Sequence, residues 1–257
     1  MMGGHHAVCG AAAWLLLTGP AVKFPLTEVA VPLAGAVHTS PMFAALGALL
    51  CAGAALGPDA DHPQATIAHS AGFASKAATS LVGAVAGGHR HGTHAPLVAA
   101  AVILAAWFCS RDGLVDPVRF DRVWWVCVVV IVALAGFAVK TLRLAKRWSV
   151  AWGVGAAVAA VTTLVWPDFL PLLPTVVAVG WCAHLVGDLL TTGGLPLAWP
   201  FRASKPPMLP AWLWSEGGYV ALPVLGNAGS WREWLLCVPI SAYALIGFVT
   251  AVNNTLP

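Results

Sequence analysis

The chain reads as an all-α, polytopic transmembrane bundle of about seven spans, and three observations lead there. Of its 257 residues, 59% are hydrophobic and only 9% charged, against about 45–50% and about 25% in an ordinary soluble domain. Mean hydropathy is +0.82, so most side chains must face lipid or one another. Apolar segments also recur along the chain at close to the roughly 20 residues that a helix needs to cross a bilayer. Disorder is excluded by the same composition. A formal charge of +3 is too small for a polyanion-binding surface, and no nucleic acid partner is expected. One domain covering 1–257 is the economical reading.

The first segment, 7–22, follows a terminus without the Lys or Arg of a cleavable leader, so it is read as part of the mature protein. The next are 42–57, 95–110, 123–139 and 148–166, the last carrying Gly153-Val154-Gly155, a small-residue run suited to close helix packing in lipid. The series ends with 171–190 and 234–252. Several of these are short for a straight crossing, which places the flanking Trp and polar residues in the interface. Two further stretches, 23–41 and 66–88, are broken by Pro, Gly and polar residues and read as re-entrant or cavity-lining rather than as spans. Six scattered Cys without a pairing spacing read as small core residues.

Basic residues set the expected orientation, because cytoplasmic loops are enriched in them. Lys140, Arg143, Lys146 and Arg147 form the strongest marker. With that loop inside and the spans alternating, Lys76, Arg90, Arg202, Lys205 and Arg232 also fall inside, leaving Lys23, Arg111, Arg119 and Arg122 outside, where Asp112, Asp116 and Asp121 balance three of them. The N-terminus is then cytoplasmic.

Nine His in so apolar a chain are the main chemical signal. Seven fall in short clusters: His5-His6; Pro58-Asp59-Ala60-Asp61-His62-Pro63; His89-Arg90-His91-Gly92-Thr93-His94; and His184 with Asp188. Under the expected topology all four reach one side of the membrane. His184 and Asp188, at i and i+4, share a helical face. Pro58 and Pro63 disfavour a continuous helix and predict a stiff extended loop, and Thr93 is placed to cap the third span. Imidazole with carboxylate is a ligand set for zinc, manganese or iron. Other readings stand beside this one: Asp188 as a structural or transport residue, Arg90 as a topological anchor or a phosphate clamp, His91 as a loop residue, His5 as a solvated terminal residue, and His38 and His69 as ordinary polar groups.

The motifs PDADHP, HRHGTH and HLVGDLLTTGGLPLAWPF, with an N-terminal His ahead of them, resemble the YdjM-like, LexA-regulated family of inner-membrane metal-dependent hydrolases, which is itself distantly similar to zinc-dependent phospholipases C and single-strand nucleases. The likeness spans positions 6–201 in three ordered motifs. It implies His6, Asp59, Asp61, His62, His89, His94, His184 and Asp188 as metal-site residues. The chain departs from the pattern at His91, which is inserted, and at Ala95, where Ser is usual; it also has no N-terminal Trp to serve a third ion. One to two divalent ions are implied, two favoured, with Asp61 as bridging ligand, Asp59 as base or supporting group, and Arg90 on the phosphoryl oxygens. The expected function is hydrolysis of a phosphoester in a membrane lipid or lipid-linked substrate; the alternative is a metal or proton transporter using the same cluster.

Overall fold

The computed structural model describes residues 1–19, 34–111, 122–201, 204–215 and 217–255, with side chains for all of these except 106–111, 122 and 123. Eight α-helices occur among them: α1 (Gly3–Thr18), α2 (Pro41–Ala54), α3 (Phe73–Ala86), α4 (Pro96–Arg111), α5 (Arg122–Thr141), α6 (Trp148–Val165), α7 (Leu173–Leu189) and α8 (Trp231–Asn253). Each of the seven apolar stretches overlaps one of them, the first of these through residues 7–18. Five helical stretches are long and apolar enough to cross a membrane: Pro41–Asp61, Trp124–Thr141, Trp148–Val165, Pro167–Leu189 and Trp231–Asn253. Helix α1, whose first turn carries His5 and His6, has 16 residues, as does α4.

The 66–88 stretch becomes a 3₁₀ turn, Thr66–His69, and the short helix α3. α3 packs on that turn and on the 3₁₀ turns Pro58–Asp61 and Gly92–His94, with Phe73, Leu81 and Val85 exposed. Of the 23–41 stretch, residues 23–33 lie outside those described, as do Lys23, Asp112, Asp116, Arg119, Asp121 and Arg202 of the orientation reading. Of the described cysteines, Cys9, Cys51, Cys182 and Cys237 are free thiols.

Helix α2 lies at the centre, packed on α1, α5, α7 and α8. It starts at a Ser40 cap, whose hydroxyl accepts from the Phe43 amide at 3.2 Å, followed by Pro41 at the first helical position. Small residues let its neighbours approach to backbone distance. A Cβ at Gly10 of α1 would meet the Cys51 carbonyl oxygen at 2.6 Å, and one at Gly180 of α7 would meet the same atom at 2.7 Å. Such contacts replace the hydrophobic driving force that helices lack inside a bilayer. A Cβ at Gly53 would lie 2.0 Å from the Leu134 carbonyl oxygen of α5. Gly53→Val should therefore lower stability by about 1–3 kcal/mol or more, read as a lower midpoint for thermal unfolding in detergent; an unchanged midpoint would show that α2 and α5 are not so close.

Helices α1, α4, α6 and α8 begin, and α2, α5 and α7 finish, at the same end of the bundle. Ala7, Leu56 and Ala138 share one cluster there, and Trp152 Nε1 donates to the Ser70 carbonyl at 2.8 Å. The basic loop from Lys140 to Arg147 lies at this end. The connection from α7 to α8 folds over it, held by isolated bridges that pair Leu195 and Trp214 with Val220.

Candidate metal centre

That end of the bundle is also where the His and Asp clusters meet. α1 contributes His6 from its first turn, α7 contributes His184 and Asp188 from its last two turns, the turn after α2 contributes Asp59 and Asp61, and the segment before α4 contributes His89 and His94. Instead of the extended loop expected between Pro58 and Pro63, the chain makes a 3₁₀ turn, because Pro58 at its first position brings the φ that the turn requires. The turn sends the two aspartates to different neighbours.

Three overlapping groups have ligand atoms within 4.8 Å of one another: His6, Asp59 and His184; Asp59, His89 and His94; and His94, His184 and Asp188. Asp59, His94 and His184 each serve two of them. Asp188 Oδ2 lies 3.6 Å from His94 Nε2 and 3.7 Å from His184 Nε2, and Asp59 Oδ1 lies 3.6 and 3.7 Å from the same two nitrogens. His6 stacks on His184, ring centroids 3.6 Å apart.

Asp61 and His62 belong to none of the three groups. Asp61 Oδ1 accepts from His89 Nδ1 at 2.9 Å; its Oδ2 takes the Arg90 amide at 3.1 Å and the Thr93 hydroxyl. Thr93, expected as a helix cap, instead spends its proton on Asp61, and α4 starts only at Pro96. His62 packs edge-on to His89 at the rim, where burial and then the neighbouring His89 hold its pKa below the usual imidazole range. Arg90 donates from Nη2 to Asp188 Oδ1 at 3.3 Å. The same oxygen faces His6 Nε2 at 3.2 Å and the Met1 amine at 2.6 Å. Nη1 of Arg90 abuts Gly193, where a Cβ would fall 1.6 Å from it.

The hydrogen bonds test whether a cation fits. His184 Nδ1 donates to the Ala55 carbonyl at 2.7 Å, which leaves Nε2 as a lone pair. Thr93 gives its one proton to Asp61, so its oxygen accepts from His94 Nδ1 at 3.0 Å, and His94 Nε2 is a lone pair too. These two nitrogens stand 3.1 Å apart with Asp59 and Asp188 oxygens around them, an arrangement that repels itself unless positive charge sits between. His6 Nδ1 is buried with no hydrogen-bond partner. The residues fit a divalent metal.

Burial alone would favour the neutral His94 ring, but Asp59 and Asp61 outweigh it and push its pKa up to about 9. A proton then takes the cation's place in the metal-free protein. Metal binding must displace it, so apparent zinc affinity should fall about tenfold per pH unit as pH drops from 8 to 6. Chelator competition at several pH values checks this, and a flat profile would remove His94 from the ligand set.

Two polar residues escaped the sequence reading. Glu233, fully buried in the first turn of α8, accepts from the Met2 and Gly229 amides at 2.8 Å each and pairs with His5. His5 is therefore buried rather than solvated. Tyr219 reaches His91 with its hydroxyl, 3.0 Å from Nδ1. An acid beginning a helix reads as an ordinary cap complement, and nothing in the local sequence announces either contact. His38 and His69 are exposed.

The fold and site define a multi-pass, all-helical membrane protein with a buried His/Asp cluster suited to a metal ion. A family model described as YdjM inner membrane protein matches residues 1–254, and the chain belongs to that family. No curated protein and no solved structure matches it.

Proposed function

We propose that the protein is a metal-dependent hydrolase that cleaves a phosphoester of a membrane lipid at the cytoplasmic surface of the inner membrane. The observation that carries this reading is the overlap of three ligand groups through Asp59, His94 and His184, which suits two neighbouring divalent ions, zinc first, then manganese or iron. Bound divalent metal lowers the pKa of a coordinated water and withdraws charge from phosphoryl oxygens. Asp59 supports the shared-ligand role better than Asp61, because it belongs to two groups while Asp61 is occupied by donors. His89 and His94 are held by Asp61, and His184 by the Ala55 carbonyl, so their Nε2 atoms are already aimed. Asp59, lining a polar pocket of about 340 Å³ with His62, His89 and Arg90, takes the proton of the attacking water. Arg90 binds the phosphoryl group as charge develops on it.

Cytoplasmic placement rests on the basic loop at the site end, and alternation of the helices from that end makes seven crossings with α1 and α4 as short spans. A cysteine at Lys146, in a cysteine-free background, should label only from the cytoplasm. A transporter would need ionisable groups through the bilayer depth. Among the described acids, Asp59, Asp61, Asp188 and Glu233 gather at one end, and Asp168 lies in the turn between α6 and α7 at the other. Metal analysis of purified protein followed by hydrolysis assays on phospholipids and phosphomonoesters tests the proposal. Bound metal with no phosphoester turned over would overturn it.

A further inference from the structure

An apolar groove of about 590 Å³ runs beside the cluster, walled by α1, α7 and α8 with Ile103 of α4 closing one flank. Its upper end is formed by Met1, Gly187 and Leu190, and it continues past Cys9, Val186 and Ala183 to Val179, Ala178 and Leu17. Gly187 belongs to both places: it lines the groove, and a Cβ on it would meet the His6 ring at 3.2 Å and Met1 Sδ at 2.5 Å. Met1 likewise borders the groove and the polar pocket containing Asp59 and Arg90. A second apolar cavity, about 310 Å³ between α1, α2 and α8, shares no residue with the cluster. Generic lipid can cover either one, but only the first leads from bilayer depth to the site residues.

We infer that this groove holds one fatty acyl chain of the substrate while the attached phosphate sits at the His/Asp cluster. The inference rests on the hydrolase reading and adds the substrate class: an acyl lipid phosphate drawn sideways from the cytoplasmic leaflet. Length argues for a leaflet's acyl chain. From Ala178 to Leu190 the groove follows α7 for about 18 Å at 1.5 Å per residue, close to the roughly 15 Å depth of one leaflet. A polyprenyl chain would overrun it. The volume lies within the range of about 300–1,000 Å³ typical of ligand pockets, and the lining is apolar throughout, so headgroup and tail have separate, adjoining compartments. Because Gly187 has no side chain, Met1 and the His6 ring pack directly against its backbone at the junction.

Photo-crosslinking of the zinc-loaded protein in nanodiscs tests the groove. The probe is a tetradecyl phosphonate with a terminal diazirine, compared with a tetradecanol bearing the same group. The phosphonate should label peptides containing Leu16, Leu17 or Val179 about tenfold more than the alcohol does, equivalent to about 1.4 kcal/mol of preference. Val179→Trp and Ala13→Trp, on opposite walls, should each remove that excess, with metal content confirming an intact cluster, whereas Leu245→Trp in the second cavity should leave the excess in place. Equal labelling by the two probes, or labelling spread over the outer face of α8, would overturn the inference. The excess is read without turnover: labelling with no hydrolysis would fell the hydrolase reading alone, and hydrolysis without groove labelling would fell the groove alone.

Discussion

A His184→Ala protein should purify with bound metal reduced and phosphoester turnover lowered by about 10³-fold or more, beyond the 10–100-fold loss that follows removal of a group behind a ligand. His184 serves two of the three ligand groups and is fully buried, so no water-exposed side chain can swing in to replace it. His94→Ala should do the same for the same reason. Asp61→Asn marks the contrast. It keeps the shape but weakens the hold on His89, His94 and the Arg90 amide, so affinity should fall by about 10–100-fold while stoichiometry survives at saturating metal. His38→Ala and His69→Ala, at exposed positions, should match wild type. Elemental analysis and zinc titration on the five proteins decide the matter; if His184→Ala and His69→Ala retain metal equally, the cluster is not the metal centre.

The second large effect separates catalysis from metal binding. Arg90→Ala should keep full metal, since guanidinium is not a ligand, yet lose turnover by about 10²-fold, or about 2.7 kcal/mol of transition-state stabilisation. Asp188→Ala should lose both metal and turnover, because its Oδ2 faces His94 and His184. Arg90→Lys should recover only part of the rate, as a point charge cannot reproduce a two-pronged donor. Gly193→Ala supplies an independent check that leaves Arg90 in place: the new methyl occupies the space of Nη1, so the guanidinium must move and turnover should fall by about tenfold. Undiminished turnover in both Arg90→Ala and Gly193→Ala would reduce Arg90 to a topological anchor.

Much of this arrangement is legible in the sequence because the chain is so apolar. Paired His and Asp stand out against such a background, and the alternation of spans is enough to bring His6, Asp59, His94 and His184 to one end. What the sequence hides is the division of labour inside PDADHP. Two aspartates two residues apart project differently from an extended strand and from a 3₁₀ turn, and only the turn sends Asp59 into the cluster and Asp61 behind His89 and His94. The His5–Glu233 pair is hidden for another reason, since it joins the first turn of α1 to the first turn of α8 and no periodicity links the two. The role of Thr93 depended on where α4 starts, and Pro96 rather than Thr93 sets that point.

The cluster draws on helices from both halves of the chain, and this has a consequence for biosynthesis. The Ala55 carbonyl and the His184 ring that it orients are 129 residues apart, which at about 5–20 residues per second is roughly 6–26 s of translation. During that interval Asp59, Asp61 and His94 exist without the helix that completes their enclosure. They gather at one end of the bundle, where water can solvate them while they wait more readily than it could halfway along the helices. A chain that ends before α7 carries one of the three ligand groups, Asp59, His89 and His94, and lacks the two that share His184. The full overlapping set of three groups therefore exists only once the polypeptide has been made through its seventh helix.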